Sequence, residues 1–416
     1  MNYKVLKIED ILVSVSETKK ITSKKIIFLN TSDIEKGKII KQDYMEVSKL
    51  PGQAKKSIKN GDILYSEIRP KNGRYCLVNG IDEDKYVVST KLMVLRCISN
   101  TILNEYLYYY LTSKPIINYL QGIAESRSGT FPQITFSELS KLKIKVPDIK
   151  YQIKIVEFIK QLDSKIELNS QIISNLEELA STLFKRWFVD FEFPDKNGNP
   201  YKSSGGKMVD SELGKIPEGW KVTNLEEISI DIITGKTPNT KQKENYGEDI
   251  PFIKIPDMHN NTYIVQTETY LSKKGSDSQY KKLLPKDSIC VSCIATPGLV
   301  SITSVASHTN QQINTILPKV EDLYFLYLDL KRKKNLIREL GSGGSTTLNL
   351  NKTQFGKINI VNCGKREKMN FNKICEPLFS KILLLQKSNI YLAKLRDSLL
   401  PKLLSGEIEL PEDEEV

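Results

Sequence analysis

A chain of 416 residues is too long for one ordinary hydrophobic core, so two or three domains are expected. With 39% hydrophobic and 27% charged residues it has the composition of a folded globular protein rather than a disordered or fibrous one. Lys plus Arg outnumber Asp plus Glu by 61 to 50, and this net +11 favours nucleic acid over a membrane, since no apolar run approaches the ~20 residues of a span; a basic surface without a partner is the alternative.

The N-terminal "MNYKVLKIEDILVS" mixes charges into its apolar residues and lacks the uninterrupted core of a signal peptide, so a cytoplasmic protein is expected. Short β-like runs broken by turn residues follow, "GDILYSEI" (61–68) and "KYVVSTKLMVLRC" (85–97), and such runs return as "DSICVSCI" (287–294) and "QQINTILP" (311–318). From Ile155 the pattern changes. Ile155, Ile159, Leu162, Ile166, Asn169, Ile173, Leu176, Ala180, Leu183 and Trp187 alternate steps of four and three, which predicts a coiled-coil helix of ~50 Å. A second seam runs through Phe371, Cys375, Leu378, Ile382, Leu385, Asn389, Leu392, Arg396, Leu399 and Leu403. Pro377 and Pro401 interrupt it; because an interior proline kinks or restarts a helix, Pro377 is a candidate helix start.

The chain is written twice. "YKVLKIEDI" (Tyr3 onward) matches "WKVTNLEEI" (Trp220 onward), and "FLNTSDI" resembles "FIKIPDM" with Asp33 over Asp257. "SGTFPQITFSEL" (128–139) lies over "GSTTLNLNKTQF" (344–355), and Leu176, Leu179 and Leu183 lie over Leu392, Leu395 and Leu399 without a gap. The fold expected is α+β: two similar domains, each followed by a long helix, with the helices pairing as an antiparallel coiled coil about a pseudo-two-fold. In that register Asn169 faces Asn389, a polar pair that sets alignment; two unrelated polar positions on separate helices are the alternative.

Between the copies lies "WFVDFEFPDKNGNPYKSSGG" (187–206). Asn199-Pro200-Tyr201 looks like a broken Asn-Pro-Pro-Tyr motif of amino-methyltransferases, but it lacks a proline and no Gly-rich cofactor loop precedes it. Pro194, Gly198, Pro200, Gly205 and Gly206 instead read as a connector, loose or strapped to the helices through Phe191 and Phe193. The expected order is domain one (1–150), first helix (151–190), connector (191–215), domain two (216–364), second helix (365–406) and an acidic tail (407–416).

This connector, through "IPEGW" (216–220), the two variable regions each followed by a long helix, and the close "LRDSLLPKLLSGEIEL" (395–410) resemble the specificity subunit of type I restriction–modification enzymes, over essentially the whole chain. The resemblance implies two target recognition domains, each reading one half of a split double-stranded DNA sequence, and helices that act as spacer and dock two methyltransferase subunits. It further implies restriction subunits of the motor-nuclease kind. Cofactors would then sit on partners, S-adenosylmethionine on the methyltransferase and ATP with Mg on the motor, and none on this chain. The alternatives are a stand-alone DNA methyltransferase or nuclease, or a coiled-coil scaffold without sequence-specific binding.

Catalytic constellations are thin. Asp148, Asp163 and Lys165 mimic a nuclease set, but Leu162 and Ile166 are seam residues, so a charged helix face is expected. Cys290 and Cys293 form a lone CxxC; with Cys76, Cys97, Cys363 and Cys375 they read as reduced core thiols. "GSGGST" (341–346) lacks the Lys-Ser/Thr of a phosphate-binding loop. Base reading calls for Arg or Lys toward guanine, Asn or Gln toward adenine, and further cations on phosphates. Candidates in copy one are Lys55, Lys56, Arg69, Lys71, Arg74, Lys91, Arg127, Ser128, Thr130 and Gln133. Copy two offers Lys236, Lys254, Asn260, Asn261, Asn310, Gln311, Gln312, Ser345, Thr346, Thr347, Asn349 and Asn351. For each alone, an ordinary solvated side chain is the competing reading.

Overall fold

A computed structural model describes residues 3–126, 132–342 and 349–411. The chain divides into two compact units, residues 1–165 with 391–416, and residues 166–390. Each unit is built mainly from one sequence copy but takes helix from both.

In unit 1, the strands β1 (Leu12–Val15), β2 (Ile63–Ser66), β3 (Tyr75–Leu77) and β4 (Leu92–Cys97) form an antiparallel sheet in the order β1-β4-β2-β3. Their Ile, Leu, Val and Tyr side chains suit a pleated surface with cores on both sides. One core takes Ile63, Tyr65, Met93 and Leu95, the other Leu64, Val94 and Leu92. A second sheet of Tyr44–Glu46, Lys25–Leu29, Tyr86–Ser89 and Ala54–Lys56 covers the latter. Lys4–Lys7 pairs with Lys143–Val146 to close the unit.

Unit 2 repeats this plan. The strands β5 (Asp231–Thr234), β6 (Ile289–Ser292), β7 (Val300–Thr303) and β8 (Ile313–Leu317) stand in the order β5-β8-β6-β7, extended by Tyr263–Ile264. The pairing Lys221–Asn224 with Asn359–Asn362 matches the closing pair of unit 1. The faint match of "FLNTSDI" to "FIKIPDM" is a real turn: Asp33 accepts from the Asn30 N–H and Asp257 from the Lys254 N–H, each at 2.8 Å.

The long helices are α1 (Ile149–Phe184), continued by a π-helical turn at Lys185–Val189, and α2 (Lys365–Ser405). They run antiparallel within each unit. Tyr151, Ile155 and Ile159 share a core with Leu400 and Leu403 in unit 1, while Ala180 and Phe184 share one with Phe371, Phe379 and Ile382 in unit 2. Every seam residue predicted from the heptads is buried or half-buried. Asn169 Nδ2 donates to Asn389 Oδ1 at 2.8 Å, the facing pair that the repeat offset requires. In unit 1 the Arg396 guanidinium reaches Asp163 Oδ1 at 2.7 Å, so its departure from the apolar seam is compensated by a charge partner.

Two details left open by the sequence are visible in the structure. The second helix does not start at Pro377: it is continuous from Lys365, with Pro377 on an exposed face where water can satisfy the carbonyl one turn back. The described part of the acidic tail, 407–411, is packed as well as charged. Alternation in "EIEL" lets Ile408 and Leu410 pack on the unit 1 core, and the Leu410 N–H donates to Tyr151 Oη at 2.8 Å.

The connector is an ordered strap in unit 2. Phe193 stacks between Tyr201 and Trp220, with ring centroids 4.7 and 4.8 Å away, and Tyr201 Oη donates to the Lys207 carbonyl. Asn199-Pro200-Tyr201 is thus held by the strap itself, its tyrosine face covered by Phe193. The strap ends in a hairpin, Met208–Ser211 with Gly214–Pro217.

Candidate nucleic-acid interface

Antiparallel pairing decides which loops share an edge. In unit 1, Val94 lies opposite Val15, Leu92 opposite Ser66, and Tyr65 opposite Tyr75. The end of β1, the β2–β3 loop and the entry to β4 therefore share one end of the sheet. In unit 2, Thr234 lies opposite Asn314, Ser292 opposite Ile313, and Val291 opposite Val300, which makes the equivalent end.

The same backbone bonds lock both ends. Glu67 N–H donates to Lys91 O and Ile134 N–H to Glu67 O; Cys293 N–H donates to Gln312 O and Leu350 N–H to Cys293 O. An isolated bridge joins Ile68 to Gln133 in one unit and Ile294 to Asn349 in the other. Arg69 and Ala295, at matching places, both carry positive φ, 45° and 63°. This is a strained backbone repeated at one site, not scattered by chance.

Of the candidates in copy one, Arg69, Lys71, Lys91 and Gln133 meet at this end, all exposed. Lys55 is exposed on the neighbouring strand Ala54–Lys56. Lys56 turns inward: its ammonium donates to the Leu92 carbonyl at 2.8 Å, and burial lowers its pKa. Arg74 is half-buried and held by the Ile34 carbonyl at 3.0 Å and by Glu35. Arg127, Ser128 and Thr130 lie outside the described residues, as do Ser345, Thr346 and Thr347.

In copy two the equivalent end gathers Lys236, Asn310, Gln311, Gln312 and Asn349. Lys236 N–H donates to Thr309 O at 3.0 Å, and Gly235 is required beside it because a Cβ there would meet Asn310 O at 2.2 Å. Asn351 instead caps the short helix Lys352–Gly356 by accepting from the Gln354 N–H. Lys254 is half-buried and donates to Thr269 Oγ1 at 2.8 Å. Asn260 and Asn261 line a separate cleft of about 630 Å³ with Ser170, Glu177, Lys331 and Gln386.

Sequence reasoning missed Thr237, whose hydroxyl donates to Gln311 Oε1 at 2.7 Å, and Thr234, which donates to Asn314 Oδ1 at 2.7 Å. The signal was "TGKT" (234–237), small polar residues around a glycine at a strand end.

The decoys are accounted for by packing. Asp148 accepts from the Tyr151 N–H at the start of α1, while Asp163 is bound by Arg396. Fifteen residues of helix separate them by ~22 Å. Burial pushes the Cys290 and Cys293 thiols up to about 12 and about 11, as for core residues. His308 is buried with Ser276, and burial lowers its pKa. Among the described residues no helix is long and apolar enough to cross a membrane.

The fold and site together define a class: a recognition module present twice, each copy followed by one of two paired helices. The sequence profile of the type I restriction modification DNA specificity domain matches residues 1–178 and 217–362, and the chain belongs to that family. The HindI specificity subunit of Haemophilus influenzae is 45% identical over 92% of this chain and 94% of its own length. The MjaIX specificity subunit of Methanocaldococcus jannaschii is 29% identical, covering 75% of this chain and 70% of that one. The crystal structure of a type I S subunit from M. genitalium has the same fold, with TM-score 0.55 at 16% identity, covering 97% of this chain and 96% of that one.

Proposed function

We propose that the chain is the sequence-specific DNA-recognition subunit of a type I restriction–modification complex, reading a split double-stranded site with one half per module. The observation that carries this is the pair of equivalent sheet ends, each locked by the same backbone bonds and each presenting basic or amide side chains. Two similar modules on one chain read two half-sites, as the subunits of a symmetric dimer do. The net charge of +11 supplies the sequence-independent attraction to phosphate.

In this reading the chain performs no catalysis. Two methyltransferase subunits dock on it and use S-adenosylmethionine; restriction subunits join them and use ATP with Mg. The complex works in the cytoplasm. Methylation of DNA from cells carrying this chain with its methyltransferase partner, mapped against cells lacking the chain, tests it. A bipartite motif that appears only with the chain is expected. With expression and complex formation verified, absence of any chain-dependent motif refutes the reading, and methylation by the purified chain alone would make it an enzyme.

A further inference from the structure

In both units the strand at the centre of the reading end is entered through the same three-residue turn. In unit 1 the turn is Ser89-Thr90-Lys91, and the Lys91 N–H donates to Ser89 Oγ at 3.2 Å. In unit 2 it is Asn310-Gln311-Gln312, and the Gln312 N–H donates to Asn310 Oδ1 at 3.1 Å. The carbonyls of Lys91 and Gln312 each accept the equivalent bond from the neighbouring strand, from Glu67 and Cys293. Lys91 and Gln312 are therefore one structural position occupied by two chemistries.

Asn310 does something that Ser89 cannot. Its Oδ1 is identified by the backbone N–H it accepts, so the other atom of its amide is the NH2 group, and this donates to Gln312 Oε1 at 2.9 Å. The two bonds close a ring through both side chains. Which edge of the Gln312 amide is oxygen and which is nitrogen is thereby fixed by the main chain, rather than left to rotate. Asn310 is buried at 8% exposure while Gln312 remains half-buried, so the buttress sits beneath the group it orients. A glutamine amide with fixed edges matches adenine in the major groove, with Oε1 accepting from N6 through its second lone pair and Nε2 donating to N7. A lysine offers donors only and matches O6 and N7 of guanine.

We propose that Lys91 and Gln312 are the equivalent specificity positions of the two modules: Gln312 reads an adenine with Asn310 as its positioning residue, and Lys91 reads a guanine. This rests on the DNA-recognition reading above. The test uses the full chain with its methyltransferase partner and maps the methylated motif for wild type, Gln312→Lys, Lys91→Gln and Asn310→Ser. Gln312→Lys is expected to exchange adenine for guanine at one position of one half-site, and Lys91→Gln to make the reverse exchange in the other half. Asn310→Ser retains an acceptor for the Gln312 N–H, as Ser89 does for Lys91, and removes only the donor to Oε1. It is expected to lower discrimination at the Gln312 position by roughly 10- to 100-fold while leaving every other position intact; a merely structural role would weaken all positions of that half together.

Gln312→Ala, checked to unfold at the wild-type denaturant midpoint, separates lost reading from lost folding and should lose preference at the same single base pair. No chain-dependent motif from wild type would remove the DNA reading and this inference with it. A wild-type motif that survives Gln312→Ala and Gln312→Lys unchanged would remove this inference alone.

Discussion

Replacing Phe193 by alanine tests whether the connector is part of the fold of unit 2. Phe193 is 4% exposed, stacked on Trp220 at 4.8 Å and 24° and on Tyr201 at 4.7 Å and 16°. Removing a buried phenyl ring costs about 3–5 kcal/mol, a figure that includes the cavity, and the two stacking contacts favour the upper half. The chain has two tryptophans, Trp187 and Trp220, and both lie in the unit 2 core, so intrinsic fluorescence reports the unfolding of that unit. With a urea dependence of about 3 kcal/mol per molar for a unit of this size, the fluorescence midpoint should fall by about 1–1.7 M. Leu213→Ala, in the same connector but 47% exposed, should move it by less than ~0.2 M, the equivalent of the usual surface effect. A Phe193→Ala midpoint within ~0.3 M of wild type would show that the strap contributes no packing, and the stacking argument would be wrong.

Three further outcomes follow from single contacts. Asn389→Leu removes the 2.8 Å acceptor of Asn169, at 1% exposure, leaving it only Ser388 Oγ at 3.5 Å, and should cost ~1–3 kcal/mol by the same fluorescence assay, whereas the double change of Asn169 and Asn389 to leucine should be neutral or stabilising; a neutral single variant would refute this. Although burial opposes it, Lys114 and Arg396 hold the Asp397 carboxylate below its ordinary range. A depressed folded pKa gives stability that is present above the unfolded value of ~3.9 and is lost as pH falls through the folded value. Hydrogen exchange in residues 391–405 should therefore accelerate below about pH 4 in wild type, and this acid dependence should flatten in Arg396→Gln; equal profiles would contradict the assignment. Lys71→Ala should reduce the slope of log affinity against log salt by ~0.9 for every DNA sequence alike, and a loss confined to one base pair would mark it as a base contact instead.

The helices were legible because a heptad is a local pattern: Asn169 and Asn389 could be paired from periodicity and repeat offset before any coordinates. The connector was legible as turn chemistry, but the sequence left open whether it was loose or strapped, because the stacking of Phe193 on Trp220 and Tyr201 is a packing fact. The reading end was legible only as a set of residue types. Strand order β1-β4-β2-β3 brings Lys91 beside Arg69 and Gln133 through pairings distant in sequence, and no local pattern encodes that order. Nor could composition show that Lys56 and Arg74 turn to carbonyls inside the protein, while Lys71 does not. The Asn310–Gln312 ring was invisible for the same reason, since "NQQ" reads as three interchangeable amides until the Gln312 N–H identifies the oxygen of Asn310.

Unit 2 is one uninterrupted stretch of chain, whereas unit 1 is assembled from two, residues 1–165 and 391–416. On the ribosome this inverts the usual order. Residues 1–165 must wait, with Ile155 and Ile159 lacking Leu400 and Leu403, until residues beyond 390 have been made, while residues 166–390 can close their core beforehand. A nascent chain stopped just after residue 390 would thus carry a completed second module and an unfinished first one, its apolar seam exposed to chaperones or proteases. Both modules are complete only once Leu400 and Leu403 have joined Ile155 and Ile159, so the first module's core is tied to the making of the second helix.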